Sequence, residues 1–101
     1  MKFLVITAVR EFDKDVKSIL KKSAVQAFSY MNVTGYGDAK GESLTDNWFA
    51  GNMHEKESVM FHVFVNEENI DTLFRKVHEF NNKQESQSRI HIAVLNIEKS
   101  N

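Results

Sequence analysis

The chain has 101 residues, the length of one ordinary domain, and its 42% hydrophobic and 27% charged composition is that of a globular protein. Thirteen basic and fourteen acidic residues give a formal net charge of −1, which argues against a nucleic-acid binder that works through a broad basic face. The absence of cysteine excludes disulfides, a thiol nucleophile and cysteine-based metal sites.

The chain begins with a predicted strand followed by a predicted helix. Residues 2–9 are nearly continuous in apolar and β-branched side chains, which is typical of a short strand buried on both faces. This apolar run is far shorter than a bilayer span, so we expect no membrane insertion and a cytoplasmic protein. Asp13 is a candidate N-cap for a helix over residues 14–23, in which apolar residues recur at helical spacing.

Three further strands and a second helix follow. Aromatic and branched side chains predict strands over residues 26–36, 58–65 and 89–97. Asn66 is a candidate cap for the second helix, whose apolar stripe runs through residues 70–80. The predicted order is therefore βαββαβ.

This order predicts an α+β, ferredoxin-like fold in which both helices cover one face of a four-stranded antiparallel sheet. The strands are apolar at successive positions, so their side chains cannot all contact the helices. Soluble monomers rarely expose so large an apolar surface. We therefore expect a single domain over residues 1–101 that forms a homo-oligomer through the open face of the sheet.

A long loop over residues 37–57 joins the second and third predicted strands. Antiparallel strands are normally joined by a few residues, and a loop of this length is usually functional or disordered. The loop contains Trp48, Phe49 and Met53, which are candidate anchors for a protein partner. The alternative is that these side chains fold back onto the chain itself or onto a neighbouring subunit.

The end of the second strand and the start of the long loop carry the run Thr34-Gly35-Tyr36-Gly37-Asp38-Ala39-Lys40-Gly41. This run, the βαββαβ order and the loop together resemble the PII signal-transduction proteins (nitrogen regulatory protein P-II). The resemblance covers the whole chain and implies a homotrimeric regulator without enzymatic activity. Such proteins bind adenine nucleotides in clefts between subunits and contact a transporter or an enzyme through the loop, which is called the T-loop.

By this resemblance, Gly35, Gly37 and Lys40 lie beside the effector cleft, where glycine amides and a lysine bind phosphate. PII proteins have a second glycine-rich turn before the last strand. The corresponding residues 82–89 of this chain contain no glycine. Arg89 takes the place of the final lysine of that turn, and Glu85 adds a repulsive charge. The resemblance therefore implies a divergent PII-like protein whose effector is an adenine nucleotide or another anion.

The four histidines leave a second function open. His54 lies among glutamates in the loop and could bind a divalent metal if several copies came together. The CutA proteins, which are trimers of similar fold, are linked to metals, so a CutA-like metal-binding protein is the alternative function. We expect His62 and His91, which lie within strands, to be hydrogen-bonded structural residues, and His78 to lie on the surface of the second helix.

Two other functions of this topology are less well supported. An acylphosphatase needs an arginine in a phosphate-binding loop after the first strand, but Arg10 is flanked by Glu11 and Asp13, which would repel phosphate. An RNA-recognition module needs aromatic residues in a basic setting, whereas Phe61 and Phe64 have uncharged neighbours. The sequence therefore predicts neither an enzyme nor a nucleic-acid binder.

Overall fold

The structure is a computed structural model that describes residues 1–37 and 55–101. Its strands and helices are β1 (Lys2–Val9), α1 (Asp13–Lys22), β2 (Ser29–Tyr36), β3 (Glu55–Val65), α2 (Ile70–Lys83) and β4 (His91–Asn96). Short 3₁₀ turns over Arg10–Phe12 and Glu67–Asn69 precede the two helices. The predicted order βαββαβ and the α+β, ferredoxin-like architecture are confirmed.

The four strands form one antiparallel sheet in the order β2-β3-β1-β4. The central strand β1 pairs with β3 on one side and with β4 on the other, so that Ile6 lies opposite both Phe61 and Ile92. Strands β2 and β4 form the two edges. One end of the sheet, where β1 and β2 finish, contains Gly35 and is called the Gly35 end. The opposite end, where β3 finishes, contains Phe64 and is called the Phe64 end.

The core lies between the sheet and the two helices. Alternate residues of β1 and β3 face the helices and are almost fully buried, because successive side chains of a strand point to opposite faces. Each of the two helices, α1 and α2, contributes one stripe of apolar side chains to the core. The buried cluster comprises Leu4, Ile6, Ala8, Val16, Leu20, Val25, Val59, Phe61, Val63, Val65, Leu73, Val77 and Ile90.

Both ends of α1 differ from a simple expectation. Asp13 is the first residue of the helix rather than its N-cap, which is Phe12, and its Oδ2 accepts a hydrogen bond of 3.0 Å from Lys17 Nζ. At the other end, the amide of Val25 donates to the carbonyl of Leu20 and the amide of Ala24 donates to the carbonyl of Lys21. These two bonds form a Schellman motif, and they hold Ala24 in the left-handed region with φ of 64°.

Three predicted boundaries also change. Strand β2 begins at Ser29 rather than at residue 26, and β4 covers His91–Asn96 rather than residues 89–97. Strand β3 begins at Glu55, so residues 55–57, which the sequence assigns to the end of the loop, pair with β2 instead. The loop residues Lys40, Trp48, Phe49, Met53 and His54 lie outside the described residues, and their predicted roles stay predictions.

Candidate functional site

A pocket of about 700 Å³ opens at the Phe64 end of the sheet. It lies between the linker that follows α1 and the ends of β1 and β3. The residues that line it are Met1, Phe3, Ala24, Val25, Gln26, Ala27, Phe28, Ser29, His62, Phe64, Val65, Asn66 and Asn69.

The pocket exists because β2 is shorter than its neighbour. Strand β2 begins at Ser29, opposite His62, so the last three residues of β3 have no partner on that side. The linker leaves α1 through the left-handed Ala24 and passes beside this gap. The ring of Phe3 extends one wall, with its centroid 5.7 Å from that of His62 and 5.1 Å from that of Phe64.

The lining suits a planar, uncharged group. Aromatic rings offer flat apolar surfaces, and the amide side chains of Gln26, Asn66 and Asn69 offer hydrogen-bond donors and acceptors. Among the described residues that form the wall there is no lysine or arginine. The described lining therefore offers the flat surfaces and the hydrogen-bonding groups that a planar heteroaromatic ring uses.

The predicted effector residues lie at the other end of the sheet. Gly35 is buried in β2 opposite Lys56, and Gly37 is buried just beyond the strand. Arg89 is exposed just before β4. Because β2 and β4 are opposite edges, three interstrand spacings separate them, which is about 14 Å. Within a single chain, therefore, Gly35 and Gly37 lie far from Arg89. All three residues also lie far from the pocket.

Two crossed ion pairs hold the start of β3 against the turn after β1. Arg10 Nη1 lies 3.4 Å from Glu57 Oε2, and Lys56 Nζ lies 3.1 Å from Glu11 Oε2. The hydrogen bond from Lys56 is the main cause that lowers the pKa of the Glu11 carboxyl below its usual value. These partly exposed pairs link the start of β3 to the turn after β1, and they neutralise both cations.

The face of the sheet opposite the helices is uncovered and partly apolar, as the sequence predicts. Phe64 is 60% exposed, and Met31 and Leu95 are each 47% exposed. Phe3, Val5 and other apolar residues of this face are half-buried. In the described part of the chain, neither helix is long and apolar enough to cross a membrane.

The histidines do not form a metal centre within residues 1–37 and 55–101, where no group of three or more potential ligands occurs. His78 is exposed on α2, as predicted, and His91 is exposed at the start of β4. His62, which we expect to be a hydrogen-bonded structural residue, is half-buried in β3, where it lines the pocket and contacts Phe3 through its ring.

The pocket itself was missed by the sequence analysis. Its signal is weak: an aromatic and an amide, Phe28 and Gln26, in a short stretch between a helix and a strand. The predicted second strand includes that stretch. Because β2 begins three residues later than predicted, the end of β3 has no neighbouring strand on that side. The spacing of apolar residues along the sequence does not indicate such a gap.

The described residues thus form a small α+β fold with an apolar open sheet face and a pocket beside it. Residues 1–99 match the family described as Nitrogen regulatory protein P-II, and the chain belongs to this family. Members of the family are regulatory, non-catalytic proteins that form trimers and bind protein partners. No curated protein matched the sequence.

Solved structures of PII-like proteins share the fold. CPII from Thiomonas intermedia K12, bound to ADP, AMP and acetate, superposes with a TM-score of 0.67 at 15% identity, over 92% of this chain and 81% of that one. A putative PII-like signalling protein from Thermus thermophilus gives 0.65 at 16% identity, over 95% and 84%. A DUF3240 family protein from Shewanella baltica OS155 gives 0.68 at 13% identity, over 99% and 92%.

Proposed function

We propose that this chain is a homotrimeric, cytoplasmic PII-like regulator. A small effector binds between subunits, and the segment over residues 37–57 controls a transporter or an enzyme. One observation carries the proposal: the two groups of candidate binding residues lie at opposite ends of the same sheet, one face of which is uncovered. The pocket with aromatic and amide side chains in its wall lies at the Phe64 end, whereas Gly35, Gly37 and Arg89 lie at the Gly35 end.

The uncovered face supports assembly of identical copies. Exposed Phe64, Met31 and Leu95 are continuous with half-buried apolar residues, and burying such a surface against another copy is favourable by about 25 cal/mol for each Å² removed from water. Family members are trimeric. Three copies joined through this face hide the patch without leaving an unpaired surface.

Assembly also supports a complete effector site. A heterologous contact between copies places one end of a subunit beside the opposite end of its neighbour. The pocket of one copy then receives the ring of the effector. The effector's anionic group contacts the Gly35 end of a neighbouring copy, either through Gly35, Gly37 and Lys40 at the β2 edge or through Arg89 at the β4 edge. An adenine nucleotide has both parts, and the related CPII structure contains ADP and AMP.

The loop supplies the contact with the client. Trp48, Phe49 and Met53 are large side chains in a segment without a regular hydrophobic pattern, which is typical of partner anchors. The ion pairs at Glu57 and Lys56 tie the end of this segment to the turn after β1. Effector binding at the subunit boundary shifts the segment between forms that bind and do not bind the client.

Analytical ultracentrifugation and calorimetry with adenosine test the assembly and the pocket together. We expect a trimer that binds adenosine, and we expect Ala27→Phe to abolish binding because the new ring fills the pocket. Lys22→Phe, at an exposed position of α1, is the matched control and keeps both properties. A single-chain particle at micromolar concentration contradicts the assembly, and unchanged adenosine binding by Ala27→Phe contradicts the pocket.

A further inference from the structure

The turn between α2 and β4 is held together by its own side chains. Asn81 receives a hydrogen bond of 2.8 Å from the amide of Ile90 and returns one of 3.0 Å to its carbonyl. Ser86 Oγ donates to the side-chain oxygen of Gln84, whose Nε2 donates in turn to the carbonyl of Ser88. The turn is therefore an ordered structure without glycine.

This network uses amides that a phosphate-binding turn would leave free. The amide of Ser88 donates to Ser86 Oγ at 3.2 Å, and that of Ile90 donates to Asn81. The amide of Gln84 donates to the carbonyl of Phe80 at 3.1 Å. A polyphosphate is usually bound by a run of backbone amides that point to one centre. Here the amides of Gln84, Ser88 and Ile90 are already bonded within the chain, so the turn offers a phosphate fewer amides.

Arg89 is the group that the turn does present. Its Nη1 donates to the carbonyls of Ser86 and Ser88 at 3.0 and 3.1 Å, which fixes the guanidinium although the residue is exposed. An arginine has five N–H donors, so those of Nε and Nη2 remain for a bidentate contact with one phosphate or carboxylate.

The charge of the turn is also small. Residues 82–89 contain two cations, Lys83 and Arg89, and one carboxylate, Glu85, which leaves one net positive charge. The cations of Arg10 and Lys56 nearby are already paired with glutamates. The turn would therefore neutralise little of the three or four negative charges that a di- or triphosphate carries.

We propose that the effector is a nucleoside monophosphate and that Arg89 reads its single phosphate group. This inference rests on the proposed composite site and deepens it by naming the class of ligand. The guanidinium of Arg89, held by two carbonyls, suits one tetrahedral anion. Further phosphates would add negative charge to a turn that also contains the carboxylate of Glu85. Selectivity thus comes from one preorganised arginine, from the small net charge of the turn and from the amides of Gln84, Ser88 and Ile90 that are already bonded.

Isothermal titration calorimetry of the full chain with adenosine, AMP, ADP and ATP tests the inference. We expect AMP to bind about tenfold or more tightly than adenosine, the range of a charge-assisted bidentate contact. We also expect AMP to bind more tightly than ATP. Arg89→Gln should reduce AMP binding to the level of adenosine. Arg75→Gln, an exposed arginine paired with Glu79 on α2, is the matched control and should bind AMP like the wild type.

The Arg89→Gln substitution removes two hydrogen bonds of the turn and could therefore disturb its structure. The variant Glu85→Gln provides a second test that leaves Arg89 in place. We expect this variant to bind ATP several-fold more tightly and AMP almost unchanged. Tighter binding of ATP than of AMP by the wild type overturns the inference and leaves the proposed regulator standing. An unchanged AMP-to-ATP ratio in Glu85→Gln, or full AMP binding by Arg89→Gln, also overturns it. Failure of every probe, adenosine included, rejects the pocket as well.

Discussion

The rings of Phe3 and Phe64 lie 5.1 Å apart, centroid to centroid, on the face of the sheet that no helix covers. Phe3 is half-buried by this contact, whereas 60% of Phe64 remains exposed. The pair thus forms an aromatic patch that also lines the pocket. Its position joins the two features on which the proposed function depends, the surface for assembly and the site for the effector.

Phe64→Asp is expected to dissociate the oligomer. An unpaired carboxylate buried at an interface costs several kcal/mol, on the order of 3–5, so the assembled form should give way to single chains at micromolar concentration. Sedimentation velocity measures the change. Val94→Asp is the control, since Val94 is 42% exposed but lies on the helix side of β4. Equal sedimentation of the two variants would show that the open face is not the interface.

Trp48→Ala is expected to weaken capture of the client while the oligomer stays intact. A buried tryptophan anchor typically contributes about 2 kcal/mol or more, which corresponds to roughly 30-fold in affinity. Pull-down at equal bait loading measures capture, and sedimentation checks assembly. Trp48→Phe keeps an aromatic anchor and should retain part of the binding. Unaltered capture by Trp48→Ala would remove this residue from the contact.

Ala24→Gly is expected to stabilise the protein. Ala24 has φ of 64°, and the left-handed conformation costs an L-residue roughly 1–2 kcal/mol that glycine does not lose. Part of the gain is offset by the greater freedom of glycine in the unfolded chain, so we expect a net gain of about 0.5–1 kcal/mol in urea unfolding. Ala27→Gly, outside this region, should instead be neutral or destabilising. A loss of stability in Ala24→Gly contradicts the assignment.

The ion pair between Glu11 and Lys56 predicts a dependence on pH. The pKa of Glu11 is lowered in the folded protein, so the pair adds stability above the ordinary value of 4.5 and loses this contribution as the pH falls through the folded pKa. Because Glu11 is exposed, Glu11→Gln should cost at most about 1 kcal/mol near neutral pH and almost nothing near pH 3.

Urea unfolding at both pH values measures this difference. Glu55→Gln, at an exposed residue one position before Lys56, provides the control and should show no comparable pH dependence. A cost of Glu11→Gln that is the same at both pH values would show that the carboxylate does not act through its charge.

The sequence predicted the elements best where one periodicity governs a segment. Strand β1 was predicted with its observed bounds, because it is apolar along its whole length and pairs on both sides. The stripe of α2 was equally clear. Boundaries failed where a local signal competes with a tertiary contact. Asp13 resembles a cap but pairs with Lys17, and residues 55–57 resemble loop but are held in β3 by β2 and two ion pairs.

The sequence by itself determined the order of elements, the two-sided apolar strands and hence the fold and the family, since these follow from side-chain patterns along the chain. Only the tertiary structure decided where binding chemistry lies. The pocket arises because β2 stops short of β3, and Arg89 is fixed by carbonyls of its own turn. Such features depend on which residues meet across the sheet, and hydrophobic periodicity carries no information about strand ends or about which amides are already bonded.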